Sequence, residues 1–185
     1  MLNPSEIIQQ LNKYNIHIAL LQETMLIEKD KLYIKNYKIY RADADIRRRG
    51  VLILVSNQLA AQTYRTYKDN DGRYIQIRIK QRENNYIEIG TGYLEPSKEN
   101  NLELLPEALE NINIFAGDLN KAQTGMEIKA NVYHIKGIVI KEIIKQKNII
   151  SDHPIILGEI VTNIKLKNDY EIVKILDKDI IKKNM

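Results

Sequence analysis

Short aliphatic runs separated by polar segments extend along this chain, and they predict a protein built largely from β-strands. Continuous apolar runs are typical of strands that are buried on both faces. Such a run lies at residues 51–55, and two nearly continuous runs lie at 16–21, interrupted by His17, and at 112–116, interrupted by Asn113. Less regular apolar segments predict further strands at residues 37–41, 132–140 and 154–161.

Residues 73–80 alternate between apolar and polar positions. Ile75, Ile77 and Ile79 face one way and the polar residues the other, so we expect one face of this strand to contact water. A second strand at residues 86–93 follows a short polar turn, and together the two segments predict a β-hairpin.

The N-terminus carries the signals of a helix start. Asn3 suits the N-cap position, Pro4 suits the first helical position, and Glu6 stands where a capping box places its carboxylate. Apolar residues then recur at helical spacing as far as Tyr14. We therefore expect one amphipathic helix that ends at Asn15.

Two more helices are predicted at residues 102–109 and 169–183. Hairpins with flanking helices favour an α/β sandwich. The chain has 185 residues, of which 44% are hydrophobic and 28% are charged, and this composition suits one soluble domain with a sizeable core. The absence of cysteine excludes disulfides and cysteine-ligated metal sites.

The sequence does not predict secretion or a membrane span, because it has neither a signal-peptide layout nor an apolar run of about 20 residues. We therefore expect an intracellular protein, cytoplasmic or nuclear, without a membrane partner. The net charge is +4, and the excess of lysine in the C-terminal third would suit a polyanion such as DNA. Lysine, isoleucine and asparagine are abundant throughout, so the charge by itself carries little weight.

Polar residues stand where three of the apolar runs begin or end. Glu23 follows the first run, and a carboxylate there can bind a hard cation such as Mg²⁺. Asp118 and Asn120 follow a later run across Gly117, so they can converge on one water molecule and orient or deprotonate it. The alternatives are an ordinary surface glutamate and an Asp–Asn turn.

Asp152 and His153 precede the apolar segment at residues 154–161. A charged His153 can stabilise the transition state of phosphoryl transfer, and Asp152 can orient the imidazole or assist a metal ion. The alternative is an Asp-capped turn beside an ordinary surface histidine. His17 lies inside a predicted strand, and we interpret it as structural.

Taken in order, five segments resemble the endonuclease/exonuclease/phosphatase superfamily, and most of all the apurinic-like endonuclease domain of non-LTR (LINE-type) retrotransposons. These segments are residues 18–24 (IALLQET), 49–55 (RGVLILV), 92–96 (GYLEP), 117–120 (GDLN) and 151–154 (SDHP). The resemblance implies a four-layer α-β-β-α sandwich of two mixed β-sheets flanked by helices. It covers residues 1–161, which leaves 162–185 as a C-terminal extension or the start of a linker.

The resemblance also implies a role for each candidate residue. Glu23 would be the ligand of Mg²⁺, or of Mn²⁺ in its place, and Asp152 would support the metal and the imidazole. Asp118 would align or deprotonate the attacking water, and Asn120 would position it. His153 would stabilise the transition state.

Further residues would contact the nucleic acid. By the same resemblance, Tyr93 contacts the scissile phosphate. Arg47, Arg48 and Arg49 form a basic turn that would contact the DNA backbone, although a solvated basic loop is the commoner explanation. Lys136 stands where the family carries an aspartate that orients the catalytic imidazole. A lysine cannot accept that hydrogen bond, although it can bind phosphate.

Two further departures from the family pattern are expected. The resemblance starts at the family's first helix, so the preceding strand and its metal-binding asparagine would be missing. The interval between Asp118 and Asp152 is shorter than in the family, so a helix–strand segment would be missing as well.

The sequence therefore predicts a Mg²⁺-dependent DNA endonuclease that nicks target DNA. It would belong to, or derive from, a longer retrotransposon polyprotein that carries a reverse transcriptase. One alternative is a degenerate domain of the same ancestry without turnover and with residual DNA binding, which Lys136 favours. Another is a phosphatase of the same superfamily that acts on a small phosphorylated substrate, which the LINE-like motifs disfavour.

Overall fold

The computed structural model describes the backbone of residues 3–45, 49–68, 72–81, 85–94, 112–118, 131–135, 139–146, 155–161 and 172–177. Side chains are described for residues 3–45, 49–66, 73–81, 85–94 and 112–118. Within these ranges the chain forms one helix and eleven strands. Among the described residues, no helix is long and apolar enough to cross a membrane.

The chain begins with the helix and continues with the strands, most of which pair in antiparallel fashion. They are α1 (Pro4–Lys13), β1 (Ile18–Gln22), β2 (Tyr37–Ala42), β3 (Val51–Ser56), β4 (Ala61–Lys68), β5 (Gly72–Lys80), β6 (Tyr86–Leu94), β7 (Ile114–Asp118), β8 (Asn131–Ile135), β9 (Val139–Gln146), β10 (Ile155–Val161) and β11 (Ile172–Asp177).

The strands form two sheets, as the sequence predicted. Sheet A has six strands in the order β2-β3-β1-β11-β10-β9, and sheet B has five in the order β4-β5-β6-β7-β8. Both are mixed, because β1 runs parallel to β11 and β6 runs parallel to β7, whereas the remaining pairs are antiparallel. The prediction of an α/β sandwich with two mixed sheets is confirmed. The helix predicted at 102–109 lies outside the described residues.

Aliphatic side chains from the facing surfaces of the two sheets form the main core. Sheet A contributes alternate residues of β1 and β3, and sheet B contributes alternate residues of β5, β6 and β7. Fully buried members include Ile18, Leu20, Ile53, Ile77 and Ile89. Strand side chains alternate between faces, so one isoleucine-rich row per strand is enough to fill the space between the sheets.

Helix α1 covers the outer face of sheet A, and its predicted start is confirmed. The Asn3 side chain accepts a hydrogen bond from the backbone N–H of Ser5 at 3.1 Å. Ile7 and Leu11 belong to a second buried cluster with Ala19 and Leu21 of β1 and Leu52 and Leu54 of β3, which are aliphatic because both faces of these strands are buried.

The prediction of one strand at residues 132–140 is wrong. Strand β8 ends at Ile135 in sheet B, and strand β9 begins at Val139 in sheet A. The apolar run is nearly continuous along the sequence, but each half hydrogen-bonds to different partners, which local composition cannot reveal. Lys136 falls between the two strands, outside the described residues.

The helix predicted at residues 169–183 is also wrong, because Ile172–Asp177 is strand β11. This strand lies between β1 and β10 and is hydrogen-bonded on both sides. The assignment of 162–185 to an extension or linker therefore does not hold for β11, which belongs to the interior of sheet A.

Two features of sheet B differ from expectation. Strand β4 was not predicted, because its threonines, tyrosines and charged residues give no apolar run. The second face of β5 is only partly wet: Arg78 is half-buried and Lys80 is exposed, but Gln76 is 1% exposed. Gln76 is buried beside Tyr74 and Glu88, with which it hydrogen-bonds.

Candidate active site

The inward-facing row of several strands changes from aliphatic to polar at one end of the sandwich. The rows are Ile18, Leu20 and Gln22 in β1; Ile87, Ile89, Thr91 and Tyr93 in β6; Ile114, Ala116 and Asp118 in β7; and Ile79, Ile77, Ile75 and Arg73 in β5. We call this end, with Gln22, Arg73, Thr91, Tyr93 and Asp118, the site rim.

Strand register brings these polar residues to the same level. Tyr93 pairs with Asp118 across the parallel strands β6 and β7, and Arg73 pairs with Tyr93 across β5 and β6. Asp118 is half-buried, whereas Tyr93 is 6% exposed and packs in the core between the sheets. The carboxylate therefore lies nearer to solvent than the phenol ring.

A buried hydrogen-bonded link joins the two sheets at the site rim. The Nε2 atom of Gln22 donates to the hydroxyl of Thr91 at 2.7 Å and to the carbonyl oxygen of Ala116 at 3.2 Å. Gln22 is 2% exposed and Thr91 is fully buried. The ends of β1, β6 and β7 therefore meet, and the candidate residue Glu23 follows directly from this junction.

The loop after β1 is held in an unusual backbone conformation. Glu23 has φ 47° and Met25 has φ 56°, both in the left-handed region. The backbone N–H of Thr24 donates to the carbonyl of Gly50 at 3.2 Å, and that of Met25 donates to the carbonyl of Arg49 at 3.1 Å. These bonds fix the loop after β1 against residues 49–50, which directly precede β3.

Two arginines anchor the segment that follows β2. Arg41 makes an ion pair with Asp43 at 2.6 Å and donates to the carbonyl of Asp30 at 2.8 Å. Arg73, at 4% exposure, donates to the carbonyl of Asp43 at 3.1 Å and lies 3.5 Å from the carboxylate of Asp45. Charge-assisted hydrogen bonds are stronger than neutral ones, so Arg73 ties the segment after β2 to the site rim.

The structure describes three of the residues that the sequence singled out at this end of the sandwich. Tyr93 and Asp118 are register partners, and Glu23 follows Gln22, whose amide hydrogen-bonds to Thr91 and Ala116. Arg49, which is half-buried, lies beside the loop after β1. The other six candidates lie outside the described residues. They are Arg47, Arg48, Asn120, Lys136, Asp152 and His153.

The start of β10 lies at the same level as the end of β1. Leu20 and Ile156 both pair with Asp177, from opposite sides of β11. The first described residue after the predicted Asp152–His153 motif is Ile155, which begins β10. The chain therefore enters sheet A through β10 at the same end of the sandwich as the site rim.

Carboxylates at the site rim have the chemistry that Mg²⁺ requires, but they do not form a closed cage. Among the side chains that the structure describes, no three Asp, Glu, His or Cys residues converge to hold a metal ion. Mg²⁺ commonly uses one or two carboxylates together with water and substrate phosphate oxygens. Glu23, half-buried and one residue beyond Gln22, and Asp118, half-buried at the end of β7, are carboxylates of the kind that this coordination uses.

Sequence reasoning missed Gln22, Thr91 and Arg73 as parts of the site. A signal was present, because each continues an inward-facing aliphatic row and replaces an expected apolar residue with a polar one. Recognising it required the direction of each strand and its partner, which the sequence alone did not supply.

Comparisons with known proteins give limited similarity. The sequence matches no protein-family model and no curated protein. Among solved structures, the chain is similar to the endonuclease domain of TRAS1, a telomere-specific non-LTR retrotransposon, with 20% identity and a TM-score of 0.48 over 65% of this chain and 54% of that one. It is also similar to truncated TDP2 from Caenorhabditis elegans, with 16% identity and a TM-score of 0.44 over 73% of this chain and 59% of that one.

The chain spans little more than half of each of these two structures. The first is a protein of the class that the sequence motifs resemble. The identities and TM-scores are too low to assign a function to this chain.

Proposed function

We propose that this chain is a Mg²⁺-dependent DNA endonuclease domain of a retrotransposon-derived protein, which hydrolyses a phosphodiester bond at the site rim. The observation that supports this most strongly is the convergence of three sequence motifs from separate parts of the chain. The motifs at 18–24, 92–96 and 117–120 contribute Glu23, Tyr93 and Asp118 to one end of the sandwich.

In this proposal Glu23 binds Mg²⁺ with support from Asp152. A Mg²⁺ ion held by these residues would neutralise the negative charge that develops on the phosphate oxygens. Asp118 takes a proton from the attacking water, and Asn120 orients that water toward phosphorus. Water attacks in line, the bond from phosphorus to the 3′-oxygen breaks, and a 3′-hydroxyl forms when that oxygen gains a proton. His153, when charged, stabilises the trigonal-bipyramidal transition state.

The DNA contacts are proposed for the residues that surround this chemistry. Tyr93, which is 6% exposed at the site rim, would contact the scissile phosphate. Arg49 lies beside the loop that carries Glu23, and with Arg47 and Arg48 it would contact the DNA backbone. The polyprotein with a reverse transcriptase belongs to the same proposal.

A second candidate is a domain of the same ancestry that binds DNA without cleaving it. The observation that favours it is Lys136, which replaces the aspartate that orients the imidazole in the family. Loss of the orienting acid costs about 10⁴ in rate in serine-protease triads. The two candidates differ in turnover and share the DNA-binding surface.

Nicking of supercoiled plasmid separates the two candidates. We expect nicking that requires Mg²⁺ and falls by at least about 100-fold in Glu23→Gln and in Asp118→Asn, because each variant keeps the shape but loses the charge. The control is Glu28→Gln, an exposed carboxylate in the loop that follows β1, which should nick as the parent does. Full activity in Glu23→Gln would overturn the endonuclease proposal. Salt-sensitive DNA binding without cleavage by the parent would favour the second candidate.

A further inference from the structure

The Gln22 side chain, at the end of β1, contacts two strands of the opposite sheet. Its single Nε2 atom carries two N–H donors, and these reach the hydroxyl of Thr91 on β6 and the carbonyl of Ala116 on β7. Thr91 and Ala116 are themselves register partners in the parallel pair of strands. One side-chain amide of sheet A therefore hydrogen-bonds to two adjacent strands of sheet B.

Each strand that this amide joins carries a candidate active-site residue immediately beyond the contact. Glu23 follows Gln22 by one residue, and Asp118 follows Ala116 by two. A strand advances about 3.3 Å per residue, so each candidate lies within about 7 Å of the contact along its own strand. A shift at this contact would move the two carboxylates relative to each other.

Stability by itself does not account for a glutamine at this place. Ile18 and Leu20 precede Gln22 on the same inward face, so an aliphatic residue would continue the core. Replacing both partners of a buried hydrogen bond, here the Gln22 and Thr91 side chains, with apolar groups of the same shape can be nearly neutral for stability. The amide adds direction, because its bonds define both the distance and the lateral register between the sheets.

Gln76 provides an internal comparison. It is equally buried, at 1% exposure, and it accepts a hydrogen bond from the Tyr74 hydroxyl at 2.7 Å and donates to Glu88. These partners all belong to β5 and β6 of sheet B. Gln76 thus has the burial and the bonding of Gln22 but does not join the two sheets at the site rim.

We infer that Gln22 is a positioning residue, whose buried amide sets the spacing of Glu23 and Asp118 by tying the end of β1 to β6 and β7. The inference deepens the proposed endonuclease function and rests on it for its catalytic consequence. The geometric part, the fixed distance between the two sheets at the site rim, stands without catalysis.

The geometric part is tested with spin labels. The chain has no cysteine, so Met25→Cys and Leu94→Cys introduce a unique pair, one in the loop after β1 and one at the end of β6. Met25 is 38% exposed, which permits labelling. We expect Gln22→Leu to broaden or shift the measured distance distribution, and Gln76→Leu to leave it as in the parent. An unchanged distribution in Gln22→Leu, or equal broadening in both variants, would overturn the inference.

The catalytic part is tested by plasmid nicking with the same two variants without labels. A misplacement of about 1 Å can cost 100-fold in rate, so Gln22→Leu should lower kcat by about 10- to 100-fold with little change in KM. Gln76→Leu should stay within about threefold of the parent. A loss of the same size in both variants would mean that Gln22 is only structural.

A second pair of variants keeps the test decisive if Gln22→Leu does not fold. Thr91→Val removes the acceptor hydroxyl and keeps the shape, whereas Thr91→Ser keeps the hydroxyl. We expect Thr91→Val to reproduce the altered distance and the loss of nicking, and Thr91→Ser to restore both. If the parent does not nick DNA, the proposed function fails, and the label distances alone decide whether Gln22 positions the strand ends.

Discussion

The chain turns at both ends of the sandwich, but different types of residue adopt the left-handed backbone conformation at each end. At the far end, where β1 and β2 begin and β3 ends, Asn15 and Asn36 adopt the left-handed conformation with φ 50° and 68°. At the site rim the described residues with positive φ are Gly50 and three residues with long side chains. These three are Glu23, Met25 and Arg49. Asparagine tolerates this conformation better, because its short amide hydrogen-bonds locally.

The bonds that close the two ends also differ. The far end is closed by backbone bonds, such as Ser56 N–H to the carbonyl of His17 and Asn57 N–H to that of Asn36, each at 2.8 Å, and by the bond from the Tyr37 hydroxyl to the carbonyl of Ile16. The site rim is held by buried polar side chains, notably Gln22 and Arg73. Backbone strain and buried polar groups concentrate where binding or catalysis takes place. The comparison therefore points to the same end of the molecule as the sequence motifs do.

The largest effect on stability is expected for Gly50→Ala at the site rim. Gly50 has φ 78°, and a Cβ atom there would lie 2.6 Å from Oγ1 of the buried Thr24. Strain and overpacking together should lower the free energy of unfolding by about 2–4 kcal/mol, measured by urea denaturation. The far-end variant Asn36→Ala has the strain without the clash, so it should lose about 1 kcal/mol. Equal losses would remove the distinction between the ends.

A smaller effect of the opposite sign is expected from relieving strain. Met25→Gly removes the cost of a left-handed methionine that is 38% exposed, so it should raise the free energy of unfolding by about 0.5–1 kcal/mol. Asn36→Gly at the far end should change it by less than about 0.5 kcal/mol, since asparagine is already tolerated there. Urea denaturation of the two variants measures this difference, and a larger gain for Asn36→Gly would reverse the comparison.

The smallest expected effect is a change in stability at alkaline pH, and it comes from Tyr37 at the far end. Burial raises the pKa of Tyr37 to about 12, and its hydroxyl donates to the carbonyl of Ile16. An unfolded tyrosine has a pKa of about 10, so the folded state favours the neutral form. The resulting stability is complete below pH 10 and is lost as pH rises toward 12.

Tyr37→Phe should therefore flatten the fall in unfolding free energy between pH 10 and 12, measured by urea denaturation at each pH. Part of the slope should remain, because burial also raises the pKa of Tyr40 and of Tyr74. Since Tyr37 is remote from the site rim, plasmid nicking at neutral pH should not change. A loss of nicking in this variant would show that the two ends are coupled.

The sequence was informative where local pattern decides structure. The capped start of α1 and the apolar strands β1, β3 and β7 follow from residues close together in the chain. Pairing partners decided the rest: β8 and β9 separate into different sheets, and β11 is a strand because β1 and β10 lie on either side of it. Strand β4 has no apolar run, and its place beside β5 makes it part of the sheet.

The candidate site likewise contains residues that the local sequence predicts and residues that only the pairing of strands reveals. Glu23 and Asp118 were predicted from the motif after each apolar run, and the structure places both at the site rim, while their catalytic roles stay predictions. Gln22 and Thr91 could not be assigned, because their importance lies in a contact between strands that are distant in sequence. A polar residue in an inward row becomes interpretable only when the facing row is known.

The position of β11 has a consequence for synthesis of the protein on the ribosome. Strand β1 is made early, but its parallel neighbour ends only at Asp177. Until that residue has emerged, β1 and β10 present open hydrophobic edges that favour association with other chains. Chaperone protection during translation would therefore matter most in this interval, after the Glu23 and Asp118 motifs have been made and before the sheet that supports Glu23 is complete.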